Sequence, residues 1–186
     1  PLFTEALQAA RDIQDNDARA FALRALAPHL PEPLFTEALQ AARDIQHDDD
    51  RGSALSALAP HLPKPLFTEA LQAARDVQSD SARASVLSAL APHLPESLFT
   101  EALQAARDIQ HYSARASALS SYLDRLNWQD RDYPFWQGLL HALSAQERPS
   151  FIADLPKLRS GLIRFGGEDI ILGVVQAMKE VCRQWG

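Results

Sequence analysis

Three histidines, His29, His61 and His93, recur at a fixed spacing, and histidine is the commonest side-chain ligand of transition metals. A shared ion would need several ligands at about 2 Å each, whereas equivalent positions on stacked helices lie about 10 Å apart. The ladder cannot hold one ion. Each histidine reads instead as a residue at a helix C-terminus, satisfying carbonyls and the helix dipole. His47-Asp48-Asp49-Asp50 and Asp15-Asn16-Asp17 resemble calcium loops in composition, but a loop opening at Asp48 needs Glu at its twelfth position, where Ala59 stands. The aspartates are better explained as helix N-caps and negative charge at helix N-termini. Glu147 and Asp154 share one helix face as a solvated carboxylate pair, and Cys182 on an apolar helical pattern reads as a buried, inert thiol. No phosphate loop, paired-histidine zinc motif or glycine-flanked serine nucleophile is present. These residues describe a non-enzyme with no cofactor and no metal.

The elements that position these side chains follow from internal repetition. Residues 1–128 are four copies of one 32-residue unit (1–32, 33–64, 65–96 and 97–128), opening at Pro1, Pro33, Pro65 and Ser97. Their first fourteen positions differ only at Ser97 and Val77. A fixed period of this length marks a repeat architecture, in which no unit buries its apolar face alone and stacked neighbours share one core. Leu2, Phe3, Ala6, Leu7, Ala10 and Ile13 form one stripe of an amphipathic first helix, and Ala22, Leu23, Leu26 and Leu30 form that of a second. Asp17, Asp49, Ser81 and Ser113 are the expected N-caps of the second helix. Pro28, Pro60 and Pro92 should kink or end it, and Pro31, Pro63 and Pro95 close the unit. In copy four Asp124 and Asn127 replace both prolines and Tyr122 replaces a leucine, so that copy is expected to face the tail.

Each unit also carries an arginine at the start of its second helix (Arg19, Arg51, Arg83 and Arg115), where a cation opposes the dipole and calls for a partner. Asp12, Asp44, Asp76 and Asp108 end the preceding helix, and an Asp–Arg ladder along the loop edge is expected. Residues 129–186 do not repeat. Helices are expected from about Pro134 to Leu143, from about Glu147 to Arg164 with a break near Pro156, and from about Glu168 to Gln184, with Gly166-Gly167 ending the second. With Trp128, Trp136, Trp185, Phe135, Phe151 and Phe165 in or beside this segment, it reads as a C-terminal cap sealing the core. The fold class expected is all-α: a right-handed α-solenoid of four helix hairpins plus a non-repeating helical cap.

Charge narrows the class of partner. Residues 1–128 hold 17 acidic and 11 basic side chains and residues 129–186 hold 7 of each, so the whole net charge of −6 lies in the repeats. That disfavours nucleic acid, whose binding rests on neutralising phosphates. No apolar run approaches the roughly 20 residues of a membrane span. A single cysteine excludes an intrachain disulfide framework and points to a reducing, cytoplasmic setting. The chain opens on Pro1 rather than Met and is expected to be a fragment or a trimmed form.

The run Ser-Ala-Leu-Ala-Pro-His-Leu-Pro at residues 56–63, its counterparts ending at Pro31 and Pro95, and the closing Gly-Gly-Glu-Asp and Val-Cys-Arg-Gln-Trp of residues 166–185 resemble short HEAT-like or tetratricopeptide-like helical repeats. Such repeats lie toward the C-terminus of large bacterial signalling proteins. The resemblance implies a sensor or docking arm beside an effector domain.

The copies differ from one another mainly at unit positions 15–18, 20–22 and 24, in the inter-helix loop and on the outward side of the second helix. A protein or peptide partner is therefore expected at Asp15, Asp48 and Asp80 on an acidic loop edge, and at Phe21, Arg24, Ser53, Ser56, Ser85, Ser88, Ser117 and Ser120 on the second helices. The loop edge would favour basic partners. The competing reading is a structural spacer or autoinhibitory arm of a multidomain enzyme, with no partner affinity of its own. At the other end, Leu2, Phe3 and Leu7 of the uncapped first unit should expose an apolar patch, giving self-association or calling for an upstream element.

Overall fold

The computed structural model describes residues 2–126, 133–143, 158–159, 162–164 and 167. The chain is helical, with no strand among the described residues. Copy one forms α1 (Leu2–Asp12) and α2 (Asn16–Leu26), and copy two forms α3 (Phe35–Arg43) and α4 (Asp48–Leu58). Copy three forms α5 (Phe67–Asp76) and α6 (Asp80–Leu90), and copy four α7 (Glu96–Arg107) and α8 (Tyr112–Ser120). A further helix, α9 (Tyr133–Leu143), matches the first helix expected after the repeats.

The amphipathic stripes fall where the periodicity puts them. In α3 the buried residues are Phe35, Ala38, Leu39, Ala41 and Ala42, and α5 and α7 bury the equivalent five. The prolines end the second helices rather than kink them. α2 and α4 stop at Leu26 and Leu58, and one 3-10 turn carries Pro28 or Pro60 to the next histidine. Backbone at Leu30 and Leu62 is then extended, and a second 3-10 turn containing Pro33 or Pro65 leads into the next helix. Proline suits both turns: at Pro28 and Pro60 its missing N–H stops the α-helical bonding that runs on from the second helix, and at Pro33 and Pro65 its fixed φ suits a first turn whose N–H groups are unpaired.

The N-caps differ from expectation by two residues. Asp15, His47, Ser79 and His111 hold the N-cap position, with extended backbone at each. Their carbonyls already accept the first helical bonds, from Arg19, Arg51, Arg83 and Arg115 at 2.8–3.0 Å. Asp15 Oδ1 also accepts from the Ala18 amide at 2.8 Å. Asp17, Asp49, Ser81 and Ser113 therefore lie inside the first turn, where the acidic ones complement the dipole.

Successive copies meet chiefly through their second helices: α2 packs on α4, α4 on α6 and α6 on α8, and within each copy the two helices pack together. Small residues make this close approach possible. A Cβ added at Gly52 would lie 2.7 Å from Ala82 Cβ and 3.2 Å from Ala82 Cα, so α4 and α6 touch almost backbone to backbone there. Leu23, Leu55, Leu87 and Leu119, one per second helix, are fully buried. Burying each such side chain is worth about 1.5–3 kcal/mol, which anchors the contact without widening it.

The chain divides into two compact bodies, Pro1–Tyr122 and Leu123–Gly186. Tyr122, one of the exceptional residues of copy four, is enclosed within the first of them. It is fully buried, its hydroxyl donates to the Leu87 carbonyl at 3.0 Å, and its ring meets Phe99 edge-on at 5.6 Å. The position holds leucine in the other copies, and the added hydroxyl is satisfied in the core. In the second body, Gly167 adopts φ +72° and its N–H bonds the Ile163 carbonyl at 3.0 Å, the helix-ending role expected of that glycine pair. Trp128, Cys182, Trp185 and the helix expected from about Glu168 lie outside the described residues, and of the helix expected from about Glu147 to Arg164 only residues 158–159 and 162–164 are described, all of them helical.

Candidate functional site

Two surfaces gather the residues singled out by type and spacing, the loop edge and the exposed side of the second helices. Their internal bonding separates them.

On the loop edge nearly every polar side chain already has a structural role. Arg19, Arg51, Arg83 and Arg115 do not pair with Asp12, Asp44, Asp76 and Asp108, so the expected ladder does not form. Each guanidinium instead donates to the backbone carbonyl at unit position 13, namely Ile13, Ile45, Val77 and Ile109, at 2.8–2.9 Å. This resolves the dipole puzzle. The arginine opens one helix but serves the other, covering a carbonyl that the end of the first helix leaves unpaired. Gln14, Gln46, Gln78 and Gln110 do the same for the carbonyl one residue earlier, at 3.0–3.2 Å. The aspartates accept from Gln8, Gln40, Gln72 and Gln104 one helical turn before them, at 2.7–2.9 Å.

A second set of bonds ties each loop to the next. Asn16 Oδ1 accepts from the Gln46 amide at 3.2 Å. Asp48 Oδ2 accepts from the Gln78 and Ser79 amides at 3.0 and 2.8 Å, and Asp80 Oδ2 from the His111 amide at 2.6 Å. Asp48 and Asp80 also ion-pair with Arg51 and Arg83. On the first helices, Arg43 meets Glu69 at 3.1 Å and Arg75 meets Glu101 at 2.5 Å, again between neighbouring copies. Of the three acidic loop residues expected to meet a partner, Asp48 and Asp80 thus join copies and Asp15 caps its own helix. The shallow depression at this edge, about 630 Å³ and lined by Gln78, Asp80, Arg83, Asp108 and His111 among others, is walled largely by groups bonded in this way. The signal for the inter-copy bonds was present in the sequence, since unit position 16 holds Asn16, Asp48 and Asp80 in three copies. Reading Asp48 and Asp80 as a partner-facing acidic edge misses it.

The second-helix side is different. Phe21 is 62% exposed, with the Arg24 guanidinium over its ring at 5.3 Å. Ser85 and Ser117 are exposed, and Ser53, Ser56, Ser88 and Ser120 are half-buried. The hydroxyls of Ser56 and Ser88 are shielded from solvent and hydrogen-bond to nothing. Ser85 only bonds back to the Ser81 carbonyl of its own helix. Between α2, α4 and α6 runs an open groove of about 550 Å³, whose walls include Arg24, Asp49, Gly52, Ser53, Ser56 and Ser85. Its small residues include Gly52 and Ala82, where α4 and α6 approach closely, and its walls are more apolar than polar. It offers donors and acceptors without a nucleophile–base pair.

The histidines of the ladder, His29, His61 and His93, are exposed on the 3-10 turns and the turn after α6. Among the described residues no cluster of histidine, cysteine or carboxylate side chains is arranged to hold a metal ion, and no helix is long and apolar enough to cross a membrane. No protein-family model matches the sequence, and no curated protein or solved structure is detectably similar to it.

Proposed function

We propose that this chain is a protein-interaction or scaffold module, a docking arm in which residues 1–128 stack as an α-solenoid of four 32-residue hairpins and residues 129–186 cap it. The partner is a protein or peptide segment lying along the groove of the second helices. The observation that carries this reading is the contrast in bonding. Polar residues shared by all four copies (Gln8, Asp12, Gln14 and Arg19 with their counterparts) are engaged inside the molecule. Of the residues that differ between copies, Phe21, Arg24, Ser85 and Ser117 are exposed and Ser53 is half-buried on the second-helix side. Arg24 lines the groove and lies over the exposed Phe21 ring beside it, so a charged donor and an aromatic side chain, types enriched at interfaces, stand together there. The serial packing of α2, α4, α6 and α8 supports the solenoid reading.

The test is site-specific photo-crosslinking from the full chain. A crosslinker at Ser53 or Ser85 should capture one common partner, and a crosslinker at Gln40 or Gln72, on the exposed side of the first helices, should not. Phe21→Ala with Arg24→Ala should reduce capture. Equal capture from both sides, or none from either, would sink the docking reading and leave the structural spacer.

A further inference from the structure

Copy one differs from the other three in what covers it. Phe3 is 38% exposed, whereas Phe35, Phe67 and Phe99 are 4% or less. Leu2 is 72% exposed, and Ala9 is exposed where Ala41, Ala73 and Ala105 are buried. Ile13, Ala22 and Leu26 are half-buried where their counterparts in copies two to four are fully enclosed. These positions share one face. In copies two to four the preceding second helix packs against both helices of the pair: α2 against α3 and α4, α4 against α5 and α6, α6 against α7 and α8.

The internal interfaces also show what chemistry closes that face. Each preceding copy supplies an Asn or Asp oxygen to a loop amide, Asn16 at unit position 14, Asp80 at position 15 and Asp48 at both, and the last two interfaces add an arginine to the glutamate at position 5. In copy one the matching groups are the Gln14 and Asp15 amides and the Glu5 carboxylate, which make no such bonds among the described residues. The match is head to tail. The leading face offers glutamate and N–H donors, and the trailing face answers with arginine and carboxylate. Two leading faces brought together would lack that complement.

We infer that the exposed face of α1 and α2 is a docking face for one further helix pair of this repeat's own sequence, packed head to tail against it. The inference rests on the stacked-repeat reading above. It is independent of what the groove binds, because its readout is local stability rather than partner capture. An added copy would bury Phe3, Ala9 and Ile13, cap the Gln14 and Asp15 amides from its position-16 side chain, and pair Glu5 with its position-11 arginine.

The experiment duplicates residues 33–64 in front of Pro1 of the full chain, which recreates the native Lys64–Pro65 junction as Lys64–Pro1. Hydrogen exchange of the α1 amides should slow by about tenfold or more, toward the rates of α3, as expected when a fraying end becomes an internal element. Arg43→Glu in the duplicated segment should reverse part of that gain, and Glu5→Arg added to it should restore the gain. Three results would overturn the inference. In the first, α1 exchange is unchanged; in the second, the duplicate itself stays unprotected. In the third, the original chain sediments as a dimer with α1 already protected, so that a second copy fills the face.

Discussion

The loop edge and the second-helix face are built from similar small polar residues, yet one is closed by its own bonds and the other is open. At the edge, Arg83 holds the Val77 carbonyl, Gln78 holds the Asp76 carbonyl, and Asp48 holds two amides of the next copy. On the face, Ser85 bonds only within its own helix, and Phe21 lies exposed beneath a single arginine. Polarity and charge alone do not separate a structural surface from a binding one. Accounting for each backbone donor and acceptor does, because a helix end left without partners costs free energy that capping side chains recover.

Substitutions can break or sharpen this contrast. The largest effect is expected beneath both surfaces. Leu55→Ala removes a side chain only 2% exposed and should cost about 2–5 kcal/mol as a buried large-to-small change. Hydrogen exchange should show the loss first in α4 and the helices packed on it, since each copy touches mainly its neighbours. Uniform loss across α1 to α8 would mean that the copies unfold as one globule.

At the edge, Arg83→Ala leaves the Val77 carbonyl without its charged donor and should lower stability by about 1.5–3 kcal/mol in denaturant melts. An effect under half a kcal/mol would show that the arginine is merely solvated. Asp48 gives a sharper comparison, because Asn16 performs the same task one copy earlier with a neutral oxygen. Asp48→Asn should therefore be tolerated, whereas Asp48→Ala should cost about 1–3 kcal/mol for two unpaired amides. Equal losses in the two variants would make charge, and not hydrogen bonding, the role of that residue. Gly52→Ala tests the close approach itself. Helix propensity favours alanine by about 1 kcal/mol, but overpacking against the Ala82 backbone opposes it by about 1–3 kcal/mol. A small net loss in Tm is expected, and a gain would mean that α4 and α6 separate easily.

Much of the fold was legible in the residues. The 32-residue period, the stripes led by Leu7 and Leu23 and the proline-ended second helices all needed only spacing and elementary stereochemistry. The details of the edge were harder. The N-cap moved from Asp17 to Asp15 because either residue could accept at a helix start, and only the backbone shows which carbonyl takes the first helical bond. Arg19 was recognised as needing a partner, but a carboxylate was the obvious one from charge, and a carbonyl six residues back is visible only in three dimensions. Tyr122 was noticed as an exception, yet its buried bond to Leu87 spans thirty-five residues. On the open face, the variation at Phe21 and Arg24 is readable, while the groove that joins Arg24 to Ser53 and Ser85 depends on how α2, α4 and α6 pack.

The division of labour between edge and face is tested most directly by measuring stability and partner capture together on two variants of the full chain. Ser53→Ala with Ser85→Ala should change stability by less than about 0.5 kcal/mol, as surface substitutions do, and introducing Arg in place of Ala at those two positions should abolish capture by a photo-crosslinker moved to Ser81 on the same groove, while the melt stays unchanged. Arg variants at Ser53 and Ser85 that capture the partner undiminished, with native stability, would contradict the assignment of the second-helix face as the binding surface.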